Sequence, residues 1–360
     1  MSSIEILKNF YDYGTSGISN IDNLSTIPLT FTKWSKEKLI YCNHPEQIKA
    51  GDYGEDGKFL NRVIVEANKK TMLYASYDHI YSKSLENIFA IRVFNSSSIT
   101  ANVTISKLGF ASSDSADLAC NAWKQYNQSS ASTPISVTPK QSKWLLVKNT
   151  PMDYIELLAL IETNVEIVVA VYACKDPSKI LSQTGEIGKG KYTYSGWSDN
   201  YSLHTQQTLN ASTLLASNKH SFFYRLGSPC NNNKNVNESI PINLVQGGIA
   251  SFENGDNIGN YGIIYNFAMT IKNDTNKTVK FRGYVISNNK SLCAGIQSGS
   301  NVDGYFLGHE GAGKGKNKMI WHFYESRALK PGELLMPEFN YSILSKGSGA
   351  CALQFEVVEV

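Results

Sequence analysis

Acidic side chains are concentrated in two glycine-rich loops, where they could serve as oxygen ligands for a metal ion. One loop has the sequence GDYGEDG at residues 51–57, and the other has ENGDNIG at residues 253–259. Carboxylates on a flexible loop are the ligands that a hard cation such as calcium prefers. The spacing differs from that of an EF-hand, and acidic turns are common in β proteins, so a structural turn is the favoured interpretation. If calcium binds to this chain, the candidate ligands are Asp52, Glu55, Asp56, Glu253 and Asp256. No other cofactor is expected.

Aromatic side chains form a second group with possible binding chemistry. Tyr194, Trp197 and Tyr201 lie close together in the sequence, and Trp321 belongs to the later aromatic run IWHFY. Exposed aromatic rings on a β-sandwich can stack on the C–H faces of sugar rings, while neighbouring Asn and Asp side chains bind the hydroxyl groups. These four residues are therefore the candidate glycan-binding residues. The alternative is that alternate aromatic residues of these strands are buried in the core.

Motifs of known enzyme classes are absent from the sequence. The six histidines show no HxH or HxxxH pair, and no G-x-S-x-G motif marks a nucleophilic serine. The run GHEGAGK at residues 308–314 resembles a phosphate-binding loop, but Gly315 follows where Ser or Thr is required. The sequence therefore predicts a protein without catalytic residues.

The six cysteines show no CxxC spacing, which argues against a zinc knuckle. Cys120 and Cys293 each follow a predicted strand pair, and Cys174 and Cys351 lie in the last predicted strand of each half. One interpretation is a disulfide within each half. The other, which the missing secretory signal favours, is a set of buried thiols that pack as small hydrophobic groups.

Charge and hydropathy limit the partners and leave the location open. The chain has 34 basic and 31 acidic residues and a net charge of +3, so no nucleic-acid surface is expected. No apolar run approaches the roughly 18 residues that a transmembrane helix needs. The first residues, MSSIEILKNF, lack the basic and apolar regions of a signal peptide. The location is then the cytoplasm, a spore, or the exterior, reached by a non-standard route or after removal of a signal.

Composition and periodicity predict an all-β fold. Twenty tyrosines and 27 glycines favour strands and turns over helices. In residues 261–286, apolar residues alternate on both sides of the polar run NDTNK, which predicts an antiparallel hairpin. Residues 88–110 have the same arrangement around Asn95, and residues 155–176 predict a third, buried hairpin.

The order of these segments predicts an internal duplication. The first two hairpins correspond, and the strands that close each half are similar. We therefore expect two tandem antiparallel β-sandwich domains, at residues 37–177 and 192–360, joined by a linker at 178–191. Residues 1–36 form an N-terminal arm, whose capping-box pattern at residues 2–5 predicts a short helix. One continuous β structure is the alternative.

Two stretches carry a family resemblance. They are LIYCNHPEQIKAGDYG at residues 39–54, followed by Phe94–Asn95, and GNYGIIYNFAMTIKNDTNKTVKFRGYV at residues 259–285. The second contains the pattern N-Y-G-x-x-Y-x-F-x-x-T-x-x-N-x-T. Both resemble a β-rich region of surface and secreted proteins of Firmicutes, often found beside a stalk domain similar to the amino-terminal domain of copper amine oxidases. The resemblance implies a surface-associated, non-catalytic protein without copper chemistry. This sequence shows neither the signal peptide nor the stalk domain, so surface export does not follow from it.

The leading functional hypothesis is a non-enzymatic structural protein, a homo-oligomer that assembles into a coat, filament, crystal or surface layer. Low charge, many expected edge strands and an arm without an evident place in the fold support it, because unpaired strand edges can pair with another subunit. The first alternative is a carbohydrate- or cell-surface-binding module with a polysaccharide partner. The second is a secreted toxin or pore-former whose long amphipathic hairpin inserts into a membrane.

Overall fold

The structure is a computed structural model of the 360-residue chain. It describes residues 2–11, 32–33, 37–43, 58–78, 88–115, 117–150, 154–180, 195–198, 201–216, 221–226, 240–241, 243–244, 256–257, 261–287, 292–308, 319–345 and 351–360. Nearly all regular structure in these ranges is β, with two short α-helices. The predicted all-β fold is therefore confirmed.

Two strands of the N-terminal segment and the strands of the first half come first in the chain. Their bounds are β1 Asn9–Tyr11, β2 Thr32–Lys33, β3 Lys38–Cys42, β4 Lys58–Val65, β5 Thr71–Asp78, β6 Ile88–Phe94, β7 Ala101–Ser113, α1 Leu118–Gln128, β8 Ile135–Val137, β9 Ser142–Asn149, β10 Tyr154–Thr163 and β11 Ile167–Cys174. A short 3-10 helix at Pro177–Lys179 follows.

The second half contains the remaining strands and one helix. Their bounds are β12 Ser195–Ser198, β13 Ser202–Asn210, α2 Ala211–Ala216, β14 Ser221–Leu226, β15 Ile240–Pro241, β16 Asn243–Leu244, β17 Asp256–Asn257, β18 Ile264–Lys272, β19 Val279–Ser287, β20 Leu292–Ser298, β21 Asn301–Leu307, β22 Ile320–Glu325, β23 Leu334–Leu335, β24 Glu338–Leu344 and β25 Cys351–Glu359.

Two sheets enclose the core of the first half. One has the strand order β16-β12-β3-β5-β10-β7-β8, and the other has the order β4-β11-β6-β9. Alternate residues of each strand point between the sheets, so that Leu73 and Leu157 of the first sheet share a buried cluster with Val169 of the second. This packing is the sandwich that the alternation predicts.

Two further sheets enclose the core of the second half. Their orders are β1-β22-β19-β25-β14 and β2-β13-β18-β24-β20-β21, and β23 pairs with the end of β18. The core between them is aromatic: Phe267 stacks on Phe339 with ring centroids 5.1 Å apart, and Phe323 lies 5.3 Å from Phe339. The pairs β3–β5 and β13–β18 are parallel, which the prediction of antiparallel sandwiches did not include.

The second core continues into the first half. The buried cluster that contains Phe267 also includes side chains from the outer face of the sheet that contains β3, β5 and β10, namely Leu39, Tyr74 and Leu158. It includes Trp123 of α1 as well. Gly262 shows how closely the halves approach. Its φ is +76°, and a Cβ there would lie 2.8 Å from the Tyr74 side chain, so the glycine serves both the turn and the contact.

The halves also exchange strands. β2 precedes β3 in the chain but pairs with β13, whereas β12 precedes β13 but pairs with β3. Residues 181–194, most of the predicted linker, lie outside the described residues, so the boundaries at 177 and 192 stay a prediction.

The three predicted hairpins are wrong. β6 and β7, β10 and β11, and β18 and β19 are consecutive, but in each pair the two strands belong to opposite sheets of a sandwich. An alternating pattern specifies which face of a strand is buried, and it does not specify the neighbour with which the backbone pairs. Residues 261–286 therefore do not form the predicted hairpin.

An asparagine corner turns the chain from β6 to β7. The Asn95 amide donates to the carbonyls of Ile99 and Val137, at 2.7 and 2.8 Å. The Oδ1 atom of Asn95 accepts hydrogen bonds from the backbone N–H and the hydroxyl of Ser97, at 2.9 and 2.6 Å. Because Asn95 is fully buried, these bonds satisfy groups that water cannot reach.

The same corner recurs between β18 and β19. The Asn273 amide donates to the carbonyls of Lys277 and Leu329, at 2.7 and 2.8 Å. The Oδ1 atom of Asn273 accepts from the N–H and the hydroxyl of Thr275, at 3.1 and 2.7 Å. Each corner is also clasped by a residue with positive φ, Lys140 in the first half and Gly332 in the second, whose N–H donates to the asparagine carbonyl.

The predicted N-terminal helix is wrong. Residues 2–11 are extended and lie along the second half, where β1 pairs with β22. The Ile4 N–H donates to Ser298 Oγ at 2.9 Å, and the Leu7 N–H donates to the Phe323 carbonyl at 2.9 Å. A helix of two turns is marginal in water, and these partners satisfy the backbone in an extended conformation instead.

Candidate functional site

A polar cleft of about 500 Å³ opens on the outer face of the five-stranded sheet. We call it the sheet cleft, and its lining in the described residues is Asn9, Tyr11, Arg282, Tyr284, Ile320, His322, Glu325, Gln354 and Glu356. These residues come from four adjacent strands, β1, β22, β19 and β25. The volume lies within the range of small-molecule sites, and the lining combines aromatic, amide and charged side chains.

Strand alternation and register bring these side chains together. In β19, Phe281 and Val285 point into the core, so that Arg282 and Tyr284 point outward. In the antiparallel register, Arg282 lies opposite Glu325 of β22 and Tyr284 lies opposite His322. Outward positions on neighbouring strands thus become contacts in the cleft.

The charged part of the cleft surrounds Glu325. Lys280 Nζ lies 2.8 Å from Glu325 Oε1, and Arg282 Nε lies 2.7 Å from Glu325 Oε2. The hydrogen bond from Lys280, together with the one from Arg282, lowers the pKa of Glu325 despite partial burial. Glu325 is therefore ionised at neutral pH and is unsuited to act as a general acid.

The second carboxylate of the cleft is Glu356. The Tyr284 hydroxyl donates to Glu356 Oε1 at 2.5 Å, and Arg282 Nη1 lies 3.9 Å from the same atom. Burial, followed by this hydrogen bond, raises the pKa of Tyr284. Tyr284 is therefore a neutral donor across the physiological pH range.

The aromatic part of the cleft consists of Tyr11, Tyr284 and His322. The ring centroid of His322 lies 4.7 Å from that of Tyr284 and 6.4 Å from that of Tyr11. Burial, followed by the charge of Arg282, lowers the pKa of His322, so the imidazole is neutral at pH 7. His322 Nε2 lies 3.1 Å from the Tyr324 carbonyl, which accepts only, so Nε2 carries the proton and Nδ1 is an acceptor.

Two of the predicted glycan-binding residues are buried, so the prediction is wrong for them. Trp321 is 0% exposed, and its Nε1 donates to the Leu7 carbonyl at 2.7 Å. Tyr201 is 8% exposed, and its hydroxyl donates to Glu37 Oε2 at 2.7 Å. Neither ring presents a face on which a sugar could stack.

The other two glycan candidates have different outcomes. Trp197 is partly buried. Lys38 Nζ lies 4.6 Å from the centre of its ring, so the Lys38 ammonium group already covers one face of the ring. Tyr194 lies outside the described residues. Trp197 does not line the sheet cleft, so the structure does not bring the predicted aromatic residues together.

The candidate calcium loops lie almost entirely outside the described residues. This holds for Asp52, Glu55, Asp56 and Glu253, while Asp256 is described only as backbone of β17, paired with β15. Within the described ranges, no group of three His, Cys, Asp or Glu side chains is arranged to hold a metal ion. The calcium loops stay a prediction.

Sequence reasoning missed the residues of the sheet cleft although part of the signal was visible. In KFRGYV and IWHFYE, charged or aromatic residues alternate with core residues. The missing information was which strands are neighbours, because β19 and β22 are separated in the chain by β20 and β21.

Comparison with known proteins establishes no family. No family model matches the chain, and no curated protein matches it. The crystal structure of the PBSX exported protein XepA is 7% identical, with 84% of this chain and 86% of that chain covered and a TM-score of 0.20. The cryo-EM structure of Broad Bean Stain Virus is 9% identical, with 94% of each chain covered and a TM-score of 0.18. The CUB1-EGF-CUB2 domain of human MASP-1/3 is 9% identical, with 83% of this chain and 99% of that chain covered and a TM-score of 0.16.

TM-scores this low do not support an argument about function, and the resemblance to the Firmicutes surface-protein region stays a prediction. Neither helix in the described ranges is long and apolar enough to span a membrane.

Proposed function

We propose that the protein is a non-catalytic binding protein that recognises a saccharide in the sheet cleft. The observation that carries the proposal is the placement of the partly exposed Tyr11 and Tyr284 rings beside the side chains of Arg282 and Glu356. Aromatic rings pack on the C–H faces of a sugar, and carboxylate, guanidinium and amide groups bind its hydroxyl groups. The cleft offers both kinds of contact on one side of a rigid sheet.

The electrostatics of the cleft favour binding over catalysis. Glu325 has a lowered pKa because Lys280 and Arg282 donate to it, and Tyr284 has a raised pKa because it is buried. Neither group can exchange a proton readily near pH 7, which acid–base catalysis requires. Fixed charges and neutral rings are instead suited to holding a polar ligand.

A glycan array followed by calorimetric titration with the saccharides that bind tests the proposal. We expect binding by the full chain, and a weakening of about fivefold in Tyr11→Ala, since an aromatic stacking contact contributes about 1 kcal/mol. Tyr154→Ala is the matched control, because Tyr154 is a partly buried tyrosine of the first half and does not line the cleft. Equal loss in both variants, or no binding on the array, would contradict the proposal.

A second candidate function, assembly into a homo-oligomer, is supported by the outer face of the four-stranded sheet. Ile64, Val168 and Phe94 lie opposite one another on three neighbouring strands and form an apolar row. Ile64 is 47% exposed, and Arg62 and Arg92 flank the row on the same face. Apolar, aromatic and arginine side chains are enriched in the centres of protein interfaces. The described residues 2–11 of the arm pack on their own second half, so this part of the arm does not support assembly.

Light scattering coupled to size-exclusion chromatography tests the assembly hypothesis. We expect an oligomer that Ile64→Glu dissociates, because a carboxylate in the apolar row would lose its hydration when the interface forms. Ile99→Glu is the control, since Ile99 is 58% exposed and lies at the β6–β7 corner, away from this row. A monomeric wild-type chain at high concentration would exclude the hypothesis and leave saccharide binding unaffected.

A further inference from the structure

Helix α1 of the first half is held tightly between strands of both halves. On one side, a Cβ at Gly109 of β7 would lie 1.8 Å from the Ala122 carbonyl oxygen. On the other side, a Cβ at Gly295 of β20 would lie 2.7 Å from the Trp123 ring. Both glycines allow the helix to approach closer than any other residue would permit.

Polar contacts fix the position of the same helix. Trp123 Nε1 donates to the Ile296 carbonyl at 3.4 Å, and Lys124 Nζ lies 2.6 Å from Asp303 Oδ1. A Cβ at Gly304 would lie 3.4 Å from the Cβ of Cys120, which is ordinary van der Waals contact. The side chains between α1 and β20 therefore have little freedom to move apart.

This packing places two thiols against each other. Cys120 Sγ of α1 lies 2.9 Å from Cys293 Sγ of β20, and both side chains are buried, at 2% and 0% exposure. An S–S bond is about 2.05 Å long, so a movement of about 0.9 Å would complete it. The other described thiols with recorded contacts have oxygen neighbours: Cys42 lies 2.5 Å from the Tyr77 hydroxyl, and Cys351 lies 2.9 Å from the Tyr341 hydroxyl.

We propose that Cys120 and Cys293 form a disulfide that joins the two halves when the chain meets a small-molecule disulfide oxidant such as oxidised glutathione. One cysteine thiolate attacks the glutathione disulfide, forms a mixed disulfide and releases one glutathione thiolate. The second cysteine thiolate then attacks the cysteine sulfur of the mixed disulfide and releases the other glutathione. The two cysteines lose two electrons and two protons, and the oxidant is reduced to two glutathione thiols.

The bond would differ from the staple within each half that the sequence suggested. The two cysteines are 173 positions apart, and the predicted linker at residues 178–191 lies between them. The cross-link would hold α1 on β20. The two halves could then not move apart, even though the predicted linker alone would allow it. Burial, followed by the hydrogen bond with Cys120, raises the pKa of Cys293, so exchange in the folded protein is expected to be slow.

Thiol mapping of the full-length chain tests the proposal. The folded protein, and in parallel protein refolded from denaturant, is equilibrated with reduced and oxidised glutathione, then denatured and alkylated. We expect the mass of the chain to fall by that of two hydrogen atoms and two of the six cysteines to be protected from alkylation. Digestion should yield a linked peptide that contains Cys120 and Cys293. The denaturation midpoint of the oxidised protein should exceed that of the reduced protein.

Matched variants separate the proposal from a general effect of oxidation. Cys120→Ser and Cys293→Ser should each lose the linked peptide and the redox-dependent shift of the midpoint, whereas Cys42→Ser should keep both. The mapping of the wild-type chain remains decisive if a variant does not fold. Full alkylation of all six cysteines in both arms, or linkage of Cys120 to a different cysteine, would overturn the proposal.

Discussion

Glu156 is a buried carboxyl group at the contact between the halves. Its Oε2 accepts a hydrogen bond from the Ser345 hydroxyl at 2.6 Å, while Oε1 has no hydrogen-bond partner among the described residues. Burial raises the pKa of Glu156 to about 7, because the charged form loses its hydration. The neutral acid is thus the form that the folded state prefers.

We expect this group to make the protein less stable as the pH rises. The folded pKa of about 7 lies above the ordinary value of 4.5, so between these values the folded state holds a proton that the unfolded chain has released. The stabilisation is complete below about pH 4.5 and is lost as the pH rises through 7, a change of about 3 kcal/mol. Denaturant unfolding at about pH 4.5 and about pH 8 measures it.

Two variants make the pH experiment specific. Glu156→Gln cannot ionise, so its unfolding free energy should fall less than that of the wild type between the two pH values. Glu166→Gln removes an exposed carboxyl group of the same half and should follow the wild type. If the unfolding free energies of the wild type and Glu156→Gln change equally with pH, ionisation of Glu156 is not the cause of the pH dependence.

At the residue scale, the sequence predicted the kinds of side chain that line the cleft better than it predicted which positions they occupy. Trp321 was predicted to bind sugars, but the next residue, His322, lines the cleft while Trp321 is in the core. Adjacent residues of a strand point to opposite faces, so an error of one position exchanges a core residue for a site residue. The alternation was visible in the sequence, but the identity of the buried face depends on which sheet covers it.

At the scale of elements, most strands were predictable and their partners were not. Alternation located β18 and β19 within the predicted hairpin, yet β18 pairs with β13 and β24, and β19 pairs with β22 and β25. The polar run NDTNK has the composition of a hairpin turn. What distinguishes it is the buried amide of Asn273, which bonds to Leu329, 56 residues away in the sequence.

The asparagine corner should therefore be a stability determinant. Asn273→Ala leaves the carbonyls of Lys277 and Leu329 without their donor, and we expect a loss of about 2 to 4 kcal/mol in unfolding free energy. Asn276→Ala, at an exposed position of the same turn, should change stability by less than about 0.5 kcal/mol. Denaturant unfolding of the pair measures the difference, and equal effects would show that the turn needs only polar residues.

At the scale of the whole molecule, the halves share a core and exchange strands. Trp123 and Tyr74 of the first half are buried in the same cluster as Phe267 of the second. The sequence predicted two similar halves joined by a linker, and it contained no sign of this contact, because an outward-facing apolar residue of one sandwich has the same pattern as a core residue.

We therefore expect the chain to unfold in one transition. Fluorescence and circular dichroism should report the same denaturation midpoint, because loss of either half exposes the cluster that contains Trp123 and Phe267. The fragments 37–177 and 192–360 should each be less stable alone than in the full chain. Two well-separated transitions, or fragments as stable as the whole, would contradict this and support independent domains.

The exchange of β2 and β12 also affects the order in which the strands can pair while the chain is being synthesised. Among the described strands, β3 pairs with β5 on one side and with β12 on the other, so its second edge stays open until residue 198 has been synthesised. An open apolar edge on a half-finished chain is a template for aggregation. Synthesis of this protein therefore includes an interval in which the first sandwich is nearly complete but still vulnerable, and slow translation across residues 181–194 would prolong it.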